Sequence, residues 1–426
     1  MSPLEDVRAE IAATVKDETA AMTELLAELV RIPSVGGSLA ESEIQDRLAG
    51  WLRAEGLETD HWDIPVDEVA AEPGFPGMEV PRTQAMGLVG RLPGAGGGRS
   101  LMFNGHVDVV PPGELAGWSD DPFSGRVQDG LLYGRGACDM KGGLVAALFA
   151  VRALRRLPVR LRGDVLVACV AGEEDGGLGS YSLLRRGWRA DACVVPEPTG
   201  LDLVPANAGA LTFRLRVPGR SAHAAQRDSG VSAVEKFWPV FAALRALEAR
   251  RNTEVDPLMR RWAIPYAIEI GTVRAGDWSS TVPGDLVAEG RLGVALGEDT
   301  RAARHALEEA VAEACASDGG LSRHPVQVEW WGGSFASGRL PDEDGGLLGR
   351  LTEAHVAVTG AAPASWGAPY GSDLRLLTGL GGIPTVQYGP GDIDRMHAPD
   401  ECVSIEEVAT AARTLALLAV DHCGTS

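Results

Sequence analysis

Four short apolar runs constrain this chain more than any other feature: "SLMFN" (Ser100–Asn104), "DVLVACV" (Asp164–Val170), "DACVV" (Asp191–Val195) and "PTVQYG" (Pro384–Gly389). Each has the length and composition of a strand buried on both faces. With "AMGLVGRL" (Ala85–Leu92) they alternate with helical segments, from about Gly143 to Arg156 and from about Gly179 to Arg186. That alternation predicts an α/β fold, a mainly parallel sheet with helices on both faces. Between the strand runs lies "WDIPVDEVAAEPGFPGMEVPRTQ" (Trp62–Gln84), rich in proline and acid and expected to be a long surface loop.

Near Asn207 the texture changes. "ALTFRLRV" (Ala210–Val217) alternates with period two, as a strand half exposed to water does. It is followed by a long helical stretch to Arg251, two strand-like runs, the helix Thr300–Ala316 and a last strand ending at Trp331. The order β-α-β-β-α-β describes an α+β, ferredoxin-like unit. We therefore expect a discontinuous α/β domain, residues 1–208 and 332–426, carrying an inserted lid-like domain, residues 209–331. A length of 426 residues suits more than one core.

Charge and composition exclude several classes. A net charge of −20 argues against nucleic acid or an anionic membrane surface as the main partner. No apolar run approaches the roughly 18 residues of a membrane span. The amino-terminal stretch has acids where a signal peptide needs a basic head. The cysteines Cys138, Cys169, Cys193, Cys315, Cys402 and Cys423 lack CxxC spacing, so a reduced, cytoplasmic protein is expected.

The reactive side chains fall where the strands end. His106 and Asp108 follow the first run, Glu173 and Glu174 the second, Glu197 the third, and His397 comes one glycine-rich loop after the fourth. Asp139 precedes a helix, which puts it on the same edge. In open α/β sheets, sites gather outside the carboxyl ends of strands. Singly, each residue is explained as a turn, a cap or a solvated acid. Together on one edge they would repel one another unless cations neutralised them. Nitrogen and oxygen donors without thiolate suit Zn²⁺, Co²⁺ or Mn²⁺, and the set is too large for one open tetrahedral site. Two metals sharing a bridging carboxylate fit better.

The motifs "GHVDVVPPG" (Gly105–Gly113), "GACDMKGG" (Gly136–Gly143), "AGEEDGGLGS" (Ala171–Ser180), "PEPTG" (Pro196–Gly200), "GRSAHAAQ" (Gly219–Gln226) and "MHAPDE" (Met396–Glu401) together resemble the M20 metallopeptidase family, in order over most of the chain. That family includes aminoacylase, acetylornithine deacetylase, succinyl-diaminopimelate desuccinylase and glutamate carboxypeptidase. The resemblance implies that His106 and Glu197 hold one metal, Glu174 and His397 the second, and Asp139 bridges them, with a cis peptide after Asp139. It implies that the Asp108 carboxylate orients His106 and that Glu173 is the general base. It also implies that His223 stabilises the oxyanion in the active site of a partner subunit, which requires a homodimer through the inserted domain. Where many members carry an asparagine three residues before the proline of the "VP" loop, this chain has Ser280, a candidate substrate contact. Arg375, in "PYGSDLRLL", is a candidate anchor for a substrate carboxylate, and Gly389 a candidate point of close ligand approach.

The expected activity is two-metal hydrolysis of a linear amide in a small N-acyl compound, of the N-acyl amino acid deacylase type, with zinc as the first choice of metal. The alternatives are a dipeptidase or carboxypeptidase, a deformylase of an amine that is not an amino acid, and a non-catalytic relative. Every ligand position and the base are intact, which argues against the last.

Overall fold

A computed structural model describes residues 3–319, 321–343 and 345–426. The chain forms two compact units: residues 1–206, 339–366 and 372–426 make the first, and 207–338 with 367–371 the second. The second runs past the expected 209–331 for a physical reason: its last strand continues beyond Trp331 to Phe335, resuming its pairing with Gly209–Pro218 after a register shift between Trp331 and Ser334.

In the first unit the central strands alternate strictly between two cores. Leu101, Phe103, Val165, Val167, Cys169, Ala192 and Val194 pack into one, with Leu144 and Leu148 of the helix Gly142–Arg156 and Leu415 and Leu418 of Ile405–Cys423. Met102, Leu166, Ala168, Val170, Cys193 and Val195 pack into the other, with Leu178 and Leu184 of Leu178–Arg185 and Leu376 and Leu377 of Leu374–Gly379. Both faces are therefore covered, which is why these runs are continuously apolar rather than alternating. Each large side chain so buried contributes roughly 1.5–3 kcal/mol of transfer free energy.

The sheet is mixed rather than mainly parallel. Its order is Glu58–Asp63, Met86–Leu92, Val165–Val170, Leu101–His106, Ala192–Val195, Thr385–Gln387, Leu203–Asn207, with shorter strands beyond. The four central strands are parallel. Met86–Leu92 lies antiparallel to Val165–Val170, and Glu58–Asp63 antiparallel to Met86–Leu92. Residues 93–100, which join Met86–Leu92 to Leu101–His106, hold no helix, and so short a connection cannot make the crossover a parallel arrangement requires. The parallel centre is what positions the site, because it brings the carboxyl ends of its strands to one edge, His106 level with Val170.

In the second unit a four-stranded antiparallel sheet runs Ile268–Ala275, Asp285–Val294, Gly209–Pro218, Gln327–Phe335. Leu211, Phe213, Leu215 and Val217 point into a core shared with Leu244 of Ala233–Arg251 and Leu307 of Thr300–Ala316. The residues between them are more exposed, as the period-two reading requires. Among the described residues no helix is long and apolar enough to cross a membrane.

Candidate metal centre

Five side chains from five segments meet at the carboxyl edge of the parallel strands. His106 ends its strand fully buried, and its Nε2 lies 3.1 Å from Asp139 Oδ1 and 4.0 Å from Glu197 Oε1. His397 Nε2 lies 3.4 Å from the other Asp139 oxygen, Oδ2, and 3.2 Å from Glu174 Oε2. Asp139 thus stands between the two histidines with one oxygen toward each, and the peptide that follows it is cis. Two groups of donor atoms come within 4.8 Å of one another: His106, Asp139 and Glu174, and His106, Glu173 and Glu197.

The electrostatics of this cluster call for added positive charge. Burial, then the charge of Asp139, pushes the Glu197 and Glu174 carboxyls upward. Burial and the nearby Asp373 push Glu173 up as well. Burial opposes a charge on His397, yet Glu174 and Asp139 carry it up to about 11. Carboxylates held at this density in a dry edge stay ionised only beside cations. The imidazole and carboxylate donors, without a thiolate, fit two divalent ions of the zinc, cobalt or manganese kind.

The backbone around this cluster is held by a second layer of buried acids. Glu401 is fully buried; its Oε1 accepts the amide N–H groups of Gly136, Cys138 and Asp139 at 2.9, 2.9 and 3.0 Å, and Oε2 meets Arg135 at 2.5 Å. It lies four residues after His397 in "MHAPDE", so one motif contributes a histidine of the cluster and fixes the loop that carries Asp139. Asp108 plays a different part from the one expected. His106 Nδ1 pairs with the Asp108 carbonyl oxygen at 2.9 Å, whereas the carboxylate stands 3.8 Å away. That carboxylate accepts instead from the amides of Glu173 and Glu174, at 3.2 and 3.1 Å. The imidazole is still oriented through its second nitrogen, but by backbone.

Two candidate substrate contacts are corrected. Arg375 is buried, its Nη1 donating to Ser372 O and its Nη2 to Gly176 O, both at 2.8 Å. A guanidinium so placed braces two loops and does not face a ligand. Gly389 lies under the backbone of the third strand's exit: a Cβ there would come within 2.4 Å of Pro196 O and 2.6 Å of Glu197 O. Its amide donates to Thr199 Oγ1 at 3.1 Å. Glycine is needed for packing behind Glu197, not for ligand approach.

In the second unit, His223 and Ser280 are neighbours and both exposed. His223 bridges Thr281, and Ala224 N donates to Ser280 O at 2.9 Å. The His223 Nδ1 accepts from Ala225 N at 3.1 Å, which leaves Nε2 as the outward nitrogen. The loop "GDWSSTVP" also carries Trp278, 72% exposed.

The reading from sequence missed Arg82, Glu41, Arg135 and the role of Glu401. Arg82 falls in the stretch taken for a surface loop, yet its side chain is buried between Glu41 and Asp175.

Comparison with known proteins agrees with this geometry. The sequence profile of peptidase family M20/M25/M40 matches residues 102–421. The N-formyl-4-amino-5-aminomethyl-2-methylpyrimidine deformylase of Bacillus subtilis is 28% identical over 417 residues, covering 89% of each chain. A succinyl-diaminopimelate desuccinylase of Methylorubrum extorquens is 32% identical over 404 residues, covering 89% of this chain and 93% of that one. Among solved structures, the di-peptidase Dug1p of Saccharomyces cerevisiae superposes with a TM-score of 0.76 at 16% identity, over 97% of this chain and 98% of that chain. A Bacillus subtilis protein described as a dinuclear metal binding peptidase of the M20 family superposes at 0.60 with 18% identity, over 96% of this chain and all of that one. The profile spans well over half of the chain, and it falls on the segments that build the carboxylate–histidine cluster: this protein belongs to peptidase family M20/M25/M40 and is a hydrolase of amide bonds.

Proposed function

We propose that this protein removes an acyl group from a small N-acyl amine, releasing the free amine and a carboxylic acid. One observation carries the reading: His106, Asp139, Glu174, Glu197 and His397 converge on one edge while Glu173 lies buried beside them, its Oε1 without a hydrogen-bond partner among the described residues. These five ligands, with Asp139 between the two pairs, would hold two divalent ions, zinc by first choice. Bound there, such ions supply Lewis acidity, polarising the acyl carbonyl and lowering the pKa of water. Glu173 takes the proton of the attacking water and passes it to the leaving nitrogen as the C–N bond breaks. Its unengaged oxygen suits a group that must first accept and then give a proton. Asp108 and the His106 strand end keep Glu173 and the first imidazole in fixed relation.

Acyl removal is favoured over peptide cleavage by the relatives that share 27–32% of their residues with this chain, which are a deformylase and desuccinylases. The peptidases are similar in fold at 21% and 16% identity. The test is amine release from N-formyl, N-acetyl and N-succinyl amines, beside dipeptides, by protein loaded with Zn²⁺ or Co²⁺. One acyl class is expected to react, and chelation followed by dialysis to abolish the reaction. Faster turnover of dipeptides, or full activity after verified metal removal, would overturn the reading.

The same proposal makes the enzyme a homodimer through the inserted unit, with the outward Nε2 of His223 serving the partner's site as an oxyanion donor. Its expected signature is complementation. Glu173→Gln and His223→Ala variants, each inactive alone, recover a substantial fraction of activity when their subunits are exchanged. No recovery in verified mixed dimers would place His223 outside the partner's site. Six buried, unpaired cysteines and the acidic surface support a reducing compartment, with neither nucleic acid nor membrane as partner.

A further inference from the structure

The loop that presents Glu173 and Glu174 is, by its own sequence, poorly determined. It begins at Gly172 and ends at Gly176-Gly177, all three at positive φ (71°, 155° and 88°), where only glycine rests without strain. Oε1 of Glu173 has no partner among the described residues, so the placement of that side chain depends on the backbone beneath it. Asp108 fixes the amides of residues 173 and 174 from one side, and Arg375 takes the carbonyl of Gly176. Within the loop, Gly176 N donates to Glu173 O at 3.1 Å and Gly177 N to Gly172 O at 2.6 Å. A further constraint, from outside the loop, falls on Asp175. Its Oδ2 accepts from Arg82 Nη1 at 2.8 Å and from the amides of Glu79 and Val80 at 3.1 and 2.8 Å.

Arg82 is itself fixed. Its Nε and Nη2 each lie 3.0 Å from Glu41, on Oε2 and Oε1, in a two-pronged contact. Its Nη1 also donates to Val80 O at 3.2 Å. Glu41 in turn accepts the amide of Gly37 at 2.7 Å and sits in the first turn of the helix Ala40–Ala54. The side chains of Arg82, Glu41 and Asp175 are 0, 1 and 9% exposed. A planar guanidinium can serve two carboxylates on different edges at once, whereas an ammonium cannot match both geometries. Residues 77–82 are thereby seated on the loop: a Cβ on Gly176 would come within 2.0 Å of Gly77 O.

We infer that Arg82, seated on Glu41, is a positioning residue for the proposed base Glu173 and the proposed ligand Glu174, acting through Asp175. The inference rests on the proposed roles of those two glutamates, but its effect on the loop is measurable without them. Removing the guanidinium leaves two buried carboxylates without the cation they share. It also releases the charged tether between the loop and the 77–82 segment.

The experiment is hydrogen–deuterium exchange on the full-length, metal-free protein, comparing wild type with Arg82→Gln, Arg82→Lys and Asp175→Asn. Amides at 173–176 are expected to exchange about tenfold or more faster in Arg82→Gln, with protection in Val165–Val170 unchanged. In metal-loaded protein kcat for the reactive N-acyl amine should fall about tenfold or more with KM within about threefold, and Arg82→Lys should recover part of it. The double variant Arg82→Gln/Asp175→Asn should be no worse than the poorer single, since both act on one contact. Should Arg82→Gln not fold, Asp175→Asn gives the same exchange readout. Unchanged exchange at 173–176, or an equal rise in Val165–Val170, overturns the inference whether or not the substrate assignment survives.

Discussion

Glu173→Gln is expected to lower kcat by about 10³-fold, the usual yield of a positioned proton carrier, while the protein keeps its fold and its bound metal. The amide matches the acid in size and cannot take a proton from water. Because Glu173 is buried among Asp373, Glu197 and Glu174, whose charges all push its carboxyl upward, the substitution also relieves repulsion. The metal-free variant should therefore melt no lower than wild type. Steady-state rates on the reactive N-acyl amine, metal content and melting temperature decide the matter together. Turnover within about tenfold of wild type would remove Glu173 from the proton path. Loss of metal along with activity would instead make it a ligand, as its grouping with His106 and Glu197 permits.

The largest loss of stability is expected from Glu401→Ala. That change strands a buried Arg135, 2% exposed, and the three backbone amides of Gly136, Cys138 and Asp139. Breaking a buried ion pair by deleting one partner costs on the order of 3–5 kcal/mol, and the orphaned amides add to it. The melting temperature should fall by several degrees or more. Metal affinity should fall too, because the amide of Asp139, the residue between the two histidines, loses its anchor. Glu401→Gln retains an acceptor for the amides and should fall between the two. A melting temperature for Glu401→Ala within about 2 °C of wild type would show that the clamp is not needed.

Residues whose chemistry is local were legible in the sequence. His106, Glu173, Glu174 and Glu197 sit within a few residues of the end of an apolar strand, and parallel strands in one sheet necessarily bring such ends together. The inserted unit was equally plain, because "ALTFRLRV" shows its half-exposed face directly. The failures have one cause. Arg375 was read as facing a ligand because guanidinium geometry suits a carboxylate, and Gly389 because glycine lets a ligand approach the backbone, but what each one meets is settled by what packs over it. Arg82 was hidden for the converse reason. A proline-rich, acid-rich stretch looks solvated, and nothing local reveals that Glu41 and Asp175, dozens of residues away, wait to pair with a single guanidinium.

The sequence by itself determined the two units, the strands of the parallel centre, the family resemblance and the identity of the side chains that converge on the edge. It could do so because these follow from periodicities of about two and about 3.6 and from motifs read within a few residues. Only the tertiary structure decided that Met86–Leu92 runs antiparallel, that the Asp108 carbonyl rather than its carboxylate meets His106, that Glu401 accepts the amide of Asp139, and that Arg82 pairs with Asp175. Those are choices among hydrogen-bond partners far apart in the chain. Burial makes each choice compulsory, since a polar group removed from water must find a partner, but which partner it finds is a property of the fold.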